Sequence, residues 1–177
     1  IDTVVMDKTG TITEGKPKVT DIIEHIDKNS LLTYAISLEK NSEHPLAEAI
    51  VKYCNETNIS SKNVENFEAV FGKGVKATSD NSTILGGNRA FMKENNIDIS
   101  KIEPQINSLA DEGKTPLIFA KDSNVIGIIA VADVEKETSR KAIEEFTKMG
   151  ISTVMLTGDN ERTAKAIQKR LNIPKVI

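Results

Sequence analysis

The sequence predicts an α/β protein in which a parallel sheet is split by an inserted α+β domain that has an antiparallel sheet of its own. Three observations carry this expectation. The first is the β-branched run Thr3-Val4-Val5-Met6, closed by Asp7 and a polar turn, which reads as a buried parallel strand. The second lies beyond Asp133, where a helix pattern (136–149), a strand (151–156) and a second helix pattern (161–171) alternate in the way that builds parallel sheets. The third is the stretch between them, where helices mix with extended runs separated by hairpin turns. The first strand needs parallel neighbours, and the only candidates lie on the far side of that stretch. The expected division is therefore 1–15 and 132–177 as two segments of one domain, with 16–131 inserted between them.

The elements follow from local chemistry. Gly15-Lys16-Pro17 punctuates the pattern before the alternating run Val19-Thr20-Asp21-Ile22-Ile23. Asn29-Ser30 is expected to cap a helix with Leu32, Ala35, Ile36 and Leu38 on one face, ending near Glu39. Asn41-Ser42-Glu43-His44 breaks it, and Pro45 suits the first turn of a second helix carrying Leu46, Ala49, Ile50 and Tyr53, so Glu39 and His44 face one interhelical corner. From Val64 to Leu85 the pattern is extended, with turns at Gly72-Lys73-Gly74 and at residues 79–82. Gly86-Gly87-Asn88 leads into a short helix around Phe91. A further helix is expected from Ser100 to Glu112, with Gly113 as its stop. Residues 117–120 and 125–132 then pair across Asp122-Ser123-Asn124.

Composition narrows the function. With 177 residues, 38% hydrophobic and 28% charged, the chain can bury one sizeable core or two small ones. A net charge of -3 without a Lys/Arg cluster gives no field to gather nucleic acid, so a polyanionic ligand must be held locally. The single cysteine, Cys54, excludes an internal disulfide and a Cys-x-x-Cys metal site, and reads as a buried helix residue in a reducing compartment. The longest apolar run, residues 125–132, is too short to span a bilayer, and no signal peptide is expected among these residues. Beginning at Ile1, almost on top of Asp7, the chain is expected to be part of a longer polypeptide.

Asp7 stands where a parallel strand ends, the edge at which open α/β sheets gather ligands. A carboxylate there, followed by Lys8 and by Thr9 and Thr11 around Gly10, fits a phosphoryl acceptor; the same residues also fit a strand followed by a polar turn. Thr157-Gly158-Asp159 opens a helix after a strand, where backbone N–H groups can meet an anion. Gly113-Lys114-Thr115 imitates the end of a P-loop, but Ser108 occupies the position of the required glycine, and a helix precedes the motif instead of following it.

Asp7-Lys8-Thr9-Gly10-Thr11-Ile12-Thr13 resembles the signature of the P-type ATPases, ion pumps of the haloacid dehalogenase superfamily; Ile12 replaces the usual Leu. Ser42-Glu43-His44-Pro45-Leu46-Ala47 is similar to the His-Pro signature of the heavy-metal-transporting subclass, and the Gly-Lys-Pro after Asp7 leans towards its copper members. The resemblance covers essentially the whole chain. It implies a haloacid dehalogenase-like, Rossmann-like sheet domain split by a nucleotide-binding domain. It also implies an ATP pocket built from Glu39, His44, Gly72, Gly74, Gly87 and Asn88, and a phosphoryl site of Asp7, Lys8, Thr157, Gly158 and Asp159. Mg²⁺ would be held by Asp7 and the carbonyl of Thr9. The implied partners are ATP and the rest of the same polypeptide, a membrane domain and an actuator domain, with the transported cation bound elsewhere. This segment would then be the cytoplasmic portion of an integral membrane protein, with two short crossings between its domains acting as hinges.

Two alternatives come from the same residues. A soluble phosphatase of the superfamily carries a second Asp two positions after the nucleophile as its acid/base; here that residue is Thr9. A nucleotide-binding module without chemistry is the other, because the family's downstream lysine and second Mg-binding motif do not occur within these residues.

Overall fold

The strand that carries Asp7 finds its partner at the far end of the chain. In the computed structural model, which describes residues 1–177, β1 (Thr3–Asp7) runs parallel to β8 (Ser152–Leu156), with Thr3 opposite Ser152 and Asp7 opposite Leu156. β8 pairs in parallel with β9 (Lys175–Val176), giving a three-stranded sheet in the order β1-β8-β9. Two helices, α5 (Glu137–Lys148) and α6 (Glu161–Leu171), lie on this part of the chain. Ile143 from α5 and Ala164, Ile167 and Leu171 from α6 pack with Ile12 and Met155 into one small core. The Asn160 side chain caps α6 by accepting from the Thr163 amide at 3.0 Å, and Asn172 ends it in the left-handed region at φ 53°.

β1 is less buried than its apolar run predicts, with Val5 59% exposed. The reason is topological: β8 flanks it on one side only, so β1 is an edge strand here.

The second sheet has six strands in the order β2-β7-β6-β5-β4-β3. They are β2 (Thr13–Glu24), β3 (Glu65–Val70), β4 (Gly74–Ser79), β5 (Ser82–Gly87), β6 (Thr115–Lys121) and β7 (Asn124–Glu135), all paired antiparallel. Helices α1 (Lys28–Glu39) and α2 (Pro45–Glu56) cover one face through Leu31, Ala35, Leu38, Ile50 and the buried Cys54. The short α3 (Arg89–Glu94) and α4 (Glu103–Asp111) cover the other through Phe91, Met92, Ile106 and Leu109. No helix is long and apolar enough to cross a membrane.

Three local details differ from the sequence expectation. The cap of α1 is Asp27, whose Oδ2 accepts from the Ser30 amide at 2.9 Å, because a carboxylate three residues upstream outcompetes the Asn29-Ser30 pair. α4 begins at Glu103 instead of Ser100, since Pro104 suits the first helical turn. The crossings between the sheets are also not loose. β2 and β7 pair with each other through them, Pro17 opposite Asp133 and Lys18 opposite Ala132, so the positions 15/16 and 131/132 fall inside a continuous two-stranded ribbon with a bulge between Thr13 and Pro17.

α4 also docks on α6. Arg162 Nε lies 2.5 Å from Asp111 Oδ1, an Arg162 terminal nitrogen donates to the Asn107 carbonyl at 3.2 Å, and Gly113 fits closely against Ala166.

Candidate active site

The parallel pairing of β1 with β8 puts Asp7 beside the first residues of the Thr157-Gly158-Asp159 turn. Both strands end at the same sheet edge, so motifs from opposite ends of the chain meet there. Lys8 is nearly buried, and its ammonium lies 2.7 Å from Asp159 Oδ2. The amide of Asp159 donates to Thr157 Oγ1 at 3.1 Å, which shapes the turn, and Gly158 opens on free space. Asp7 itself is exposed at the end of its strand. The Thr157 amide donates to the Ile177 carbonyl at 3.0 Å, so the turn beside the exposed Asp7 carboxylate offers an anion the Gly158 amide and the Thr157 hydroxyl.

The loop after Asp7 is held by residues that the sequence reading did not single out. Gly10, at φ 77°, reverses the chain, and its amide donates to Thr13 Oγ1 at 3.3 Å. The Thr13 hydroxyl is fully buried and donates to Asp133 Oδ2 at 2.5 Å, with the Lys8 carbonyl 3.0 Å away. The other oxygen of Asp133 accepts from the Gly15 amide at 2.9 Å. Lys136 Nζ donates to the Gly10 carbonyl at 2.6 Å, and Ser139 Oγ to the Ile12 carbonyl at 2.8 Å. Asp133, Lys136 and Ser139 thus clamp the loop after Asp7 from the second crossing and the start of α5. Asp133 precedes the helix expected at 136–149, and Lys136 and Ser139 lie in its first turn.

Asp7 and the Thr9 carbonyl are hard oxygen donors on one loop, and no cluster of three or more His, Cys, Asp or Glu side chains stands elsewhere as a metal site. One carboxylate with a carbonyl suits Mg²⁺, which keeps several waters and completes its shell with substrate phosphates.

The expected nucleotide residues form two groups. Glu39 ends α1 almost fully buried, 6% exposed, with one carboxyl oxygen about a van der Waals contact from where a Cβ at Gly86 would stand. Burial alone pushes its carboxyl up to about 7. His44 caps α2, its Nδ1 accepting from the Leu46 amide at 3.1 Å, and the residue is exposed. An open groove of about 420 Å³ lies beside Glu39, lined also by Lys40, Ser42, Glu48 and Lys52; neither His44 nor a glycine contributes to it.

Gly72, Gly74, Gly87 and Asn88 form the second group. Gly74 and Gly87 are opposite each other in the ladder, and a Cβ at Gly74 would lie 2.3 Å from the Gly86 carbonyl oxygen and 2.5 Å from the Phe91 ring. Close packing over Phe91 therefore demands both glycines. Asn88 caps α3 by accepting from the Phe91 amide at 3.0 Å and donates to the Gly72 carbonyl at 2.9 Å, tying the hairpin turn to the helix. The link between the groups is Gly86 on β5, paired with Val75 of β4 and close to Glu39, which was not among the residues expected to bind nucleotide.

With this geometry in hand, the comparisons with known proteins are specific. A family model for haloacid dehalogenase-like hydrolases matches residues 1–177. The chain belongs to that family. Within it, the likeness to heavy-metal P-type ATPases extends over every residue. The chain is 46% identical over 177 residues to a copper-exporting P-type ATPase of Staphylococcus haemolyticus (strain JCSC1435), covering 100% of this chain and 22% of that protein. It is 47% identical over 178 residues to a copper-exporting P-type ATPase of Staphylococcus aureus (strain JH9), again covering 100% of this chain and 22% of the relative. The chain thus spans about a fifth of the length of these relatives. Among solved structures, a zinc-transporting PIB-type ATPase in its E2.Pi state superposes with a TM-score of 0.89 at 33% identity, over 99% of this chain and 28% of that one. The catalytic domain of the CPx-ATPase CopB-B matches with a TM-score of 0.73 at 29% identity, over 100% of this chain and 62% of that one.

Proposed function

We propose that this chain is the ATP-binding and phosphorylation region of a copper-transporting P-type ATPase. Residues 16–131 are the inserted nucleotide-binding domain, and 1–15 with 132–177 are segments of the phosphorylation domain. The observation that carries the reading is the meeting of the Asp7 loop with the Thr157-Gly158-Asp159 turn, bridged by Lys8 and Asp159 at 2.7 Å.

In the proposed step, an Asp7 carboxylate oxygen attacks the γ-phosphorus of ATP in line. A new O–P bond forms, the bond to the β–γ bridging oxygen breaks, and ADP leaves with that electron pair. Lys8 offsets the charge of two approaching anions, while the Thr157 hydroxyl and the Gly158 amide hold phosphoryl oxygens. Asp7 and the Thr9 carbonyl would hold Mg²⁺, which when bound supplies charge neutralisation on the phosphates. Thr9 offers no carboxyl to activate water, which favours an accumulating aspartyl phosphate over the phosphatase alternative.

Glu39, His44 and the Gly72–Gly74 turn would take the adenine end. With no P-loop to grip the phosphates, ATP should bind weakly, with dissociation constants of about 0.1 to several millimolar. The energy of the phosphoenzyme would drive the copper ion through membrane-embedded parts of the longer protein, and this segment would then lie on the cytoplasmic side.

The test is phosphorylation by γ-labelled ATP in the full-length protein. An acid-stable, alkali-labile phosphoenzyme that disappears in Asp7→Asn supports the assignment. Label persisting in that variant removes Asp7 from the role.

A further inference from the structure

Helix α6 has two working faces. Ala164, Ile167 and Leu171 pack into the core of the smaller sheet, while Arg162, Ala166 and Arg170, spaced four apart, line up on another side and meet the end of α4 in the inserted stretch. The middle residue is small, and a Cβ at Gly113 would lie 3.2 Å from that of Ala166, so the corner after α4 sits close on the helix. The arginines flank it. Arg162 pairs with Asp111 and donates to the Asn107 carbonyl, and Arg170 donates to the Glu112 carbonyl at 2.5 Å while pairing with Glu135 at the end of β7. Both cations thus reach the C-terminal end of α4, where the partial negative charge of the helix gathers.

The helices themselves give no reason for these charges. Arg162 stands in the first turn of α6, where a positive charge opposes the helix dipole, and Asp111 is the last residue of α4, where a negative charge does the same. Each is at the unfavourable end of its own helix and is offset by the other. Both are exposed, and exposed pairs are weak and screened by salt. A contact of that strength holds and then lets go.

Its place decides what it restrains. α4 covers one face of the six-stranded sheet, and Glu39 lies on the other with α1 and α2. α2 is on the side of the Asp7 loop: the carboxyl of Glu14, at the start of β2, is held below the usual range first by Lys18 and also by Lys52 of α2. The inserted stretch is joined to the smaller sheet through the β2–β7 ribbon, with α4 fastened to α6 from one face and Glu39 on the opposite one. Tipping the Glu39 face towards Asp7 about that ribbon lifts α4 off α6.

We infer that Arg162 and Arg170 form a latch that holds the inserted domain back on α6 and must release before a nucleotide held at Glu39 reaches Asp7. The inference rests on the reading of residues 16–131 as the ATP-binding domain and adds the contact that governs its movement.

The separation of the two domains tests the latch without nucleotide. Spin labels on Glu68→Cys in β3 and Lys141→Cys in α5, with Cys54→Ala to remove the native thiol, should give one narrow distance in the 177-residue chain at low salt. Arg162→Gln with Arg170→Gln should add a second, broader population, as should about 1 M salt in the wild type. Arg162→Asp should do the same, and Asp111→Arg added to it should restore the narrow distance, since each charge then stands at the favourable end of its helix. In the full-length protein, Arg162→Gln with Arg170→Gln should form phosphoenzyme about two- to fivefold faster at subsaturating ATP, while the ATP affinity of the 177-residue chain stays unchanged. An unchanged distance distribution in the double variant overturns the latch and leaves the nucleotide reading standing. A broadened distribution without faster phosphorylation reduces the contact to packing and also overturns it. If the wild type forms no phosphoenzyme, the nucleotide reading fails and the latch with it, whatever the distances.

Discussion

Lys8 and Asp159, from opposite ends of the chain, meet at 2.7 Å with side chains only 10% and 30% exposed. Their contact bridges the first strand's loop to the turn after β8, so a single ion pair reports whether the two segments are assembled. Pairs this sheltered are costly to break from one side, because the remaining charge is left poorly solvated.

Lys8→Met and Asp159→Asn should therefore each lower stability by about 1–3 kcal/mol, and the double variant by less than the sum, with a coupling of about 1 kcal/mol. Urea unfolding of the four proteins measures this. Strict additivity would mean that the pair contributes nothing beyond its separate side chains.

Asp133 is the second point of assembly, accepting from the Thr13 hydroxyl at 2.5 Å and the Gly15 amide at 2.9 Å. Asp133→Ala should cost about 2–4 kcal/mol, two hydrogen bonds to a charged acceptor, and speed amide exchange at Gly15 while the α1–α2 core stays protected. Gly15 sits at φ 77°, and a Cβ there would meet the Gly10 backbone at 3.1 Å. Gly15→Pro therefore does more than stiffen a hinge: it removes the amide that Asp133 holds and forbids the backbone angle. Native-like exchange at Gly15 in Asp133→Ala would count against the clamp.

Glu39 makes stability depend on pH in an unusual direction for a carboxylate. Burial raises its folded value to about 7 from 4.5. Below 4.5 both states are protonated and the group contributes no slope. Between 4.5 and 7 the unfolded chain releases the proton while the native state keeps it, so stability falls as pH rises; above 7 the loss is complete. The shift corresponds to roughly 3 kcal/mol. Glu39→Gln should erase this loss, leaving the variant more stable than the wild type at pH 8 and nearly equal to it at pH 4. Parallel stability curves for the two proteins between pH 4 and 8 would refute it.

The sequence by itself determined the elements and their chemistry. Helix α6 runs from Glu161 to Leu171 as its periodicity predicts, and Pro45 opens α2 as expected. These features are legible because helical spacing, proline and cap residues act within a few positions of themselves. The motif around Asp7 was legible for the same reason, being contiguous. Tertiary structure alone decided what lies across from what. That Asp133 receives Thr13 and Gly15, that Gly86 sits under Glu39, and that Gly74 and Gly87 share the Phe91 ring all depend on strand register between distant segments. The edge position of β1 and the continuity of β2 and β7 through the crossings have the same origin. A residue's local pattern states which face it prefers; only the pairing of the sheets says whether anything is there to meet it.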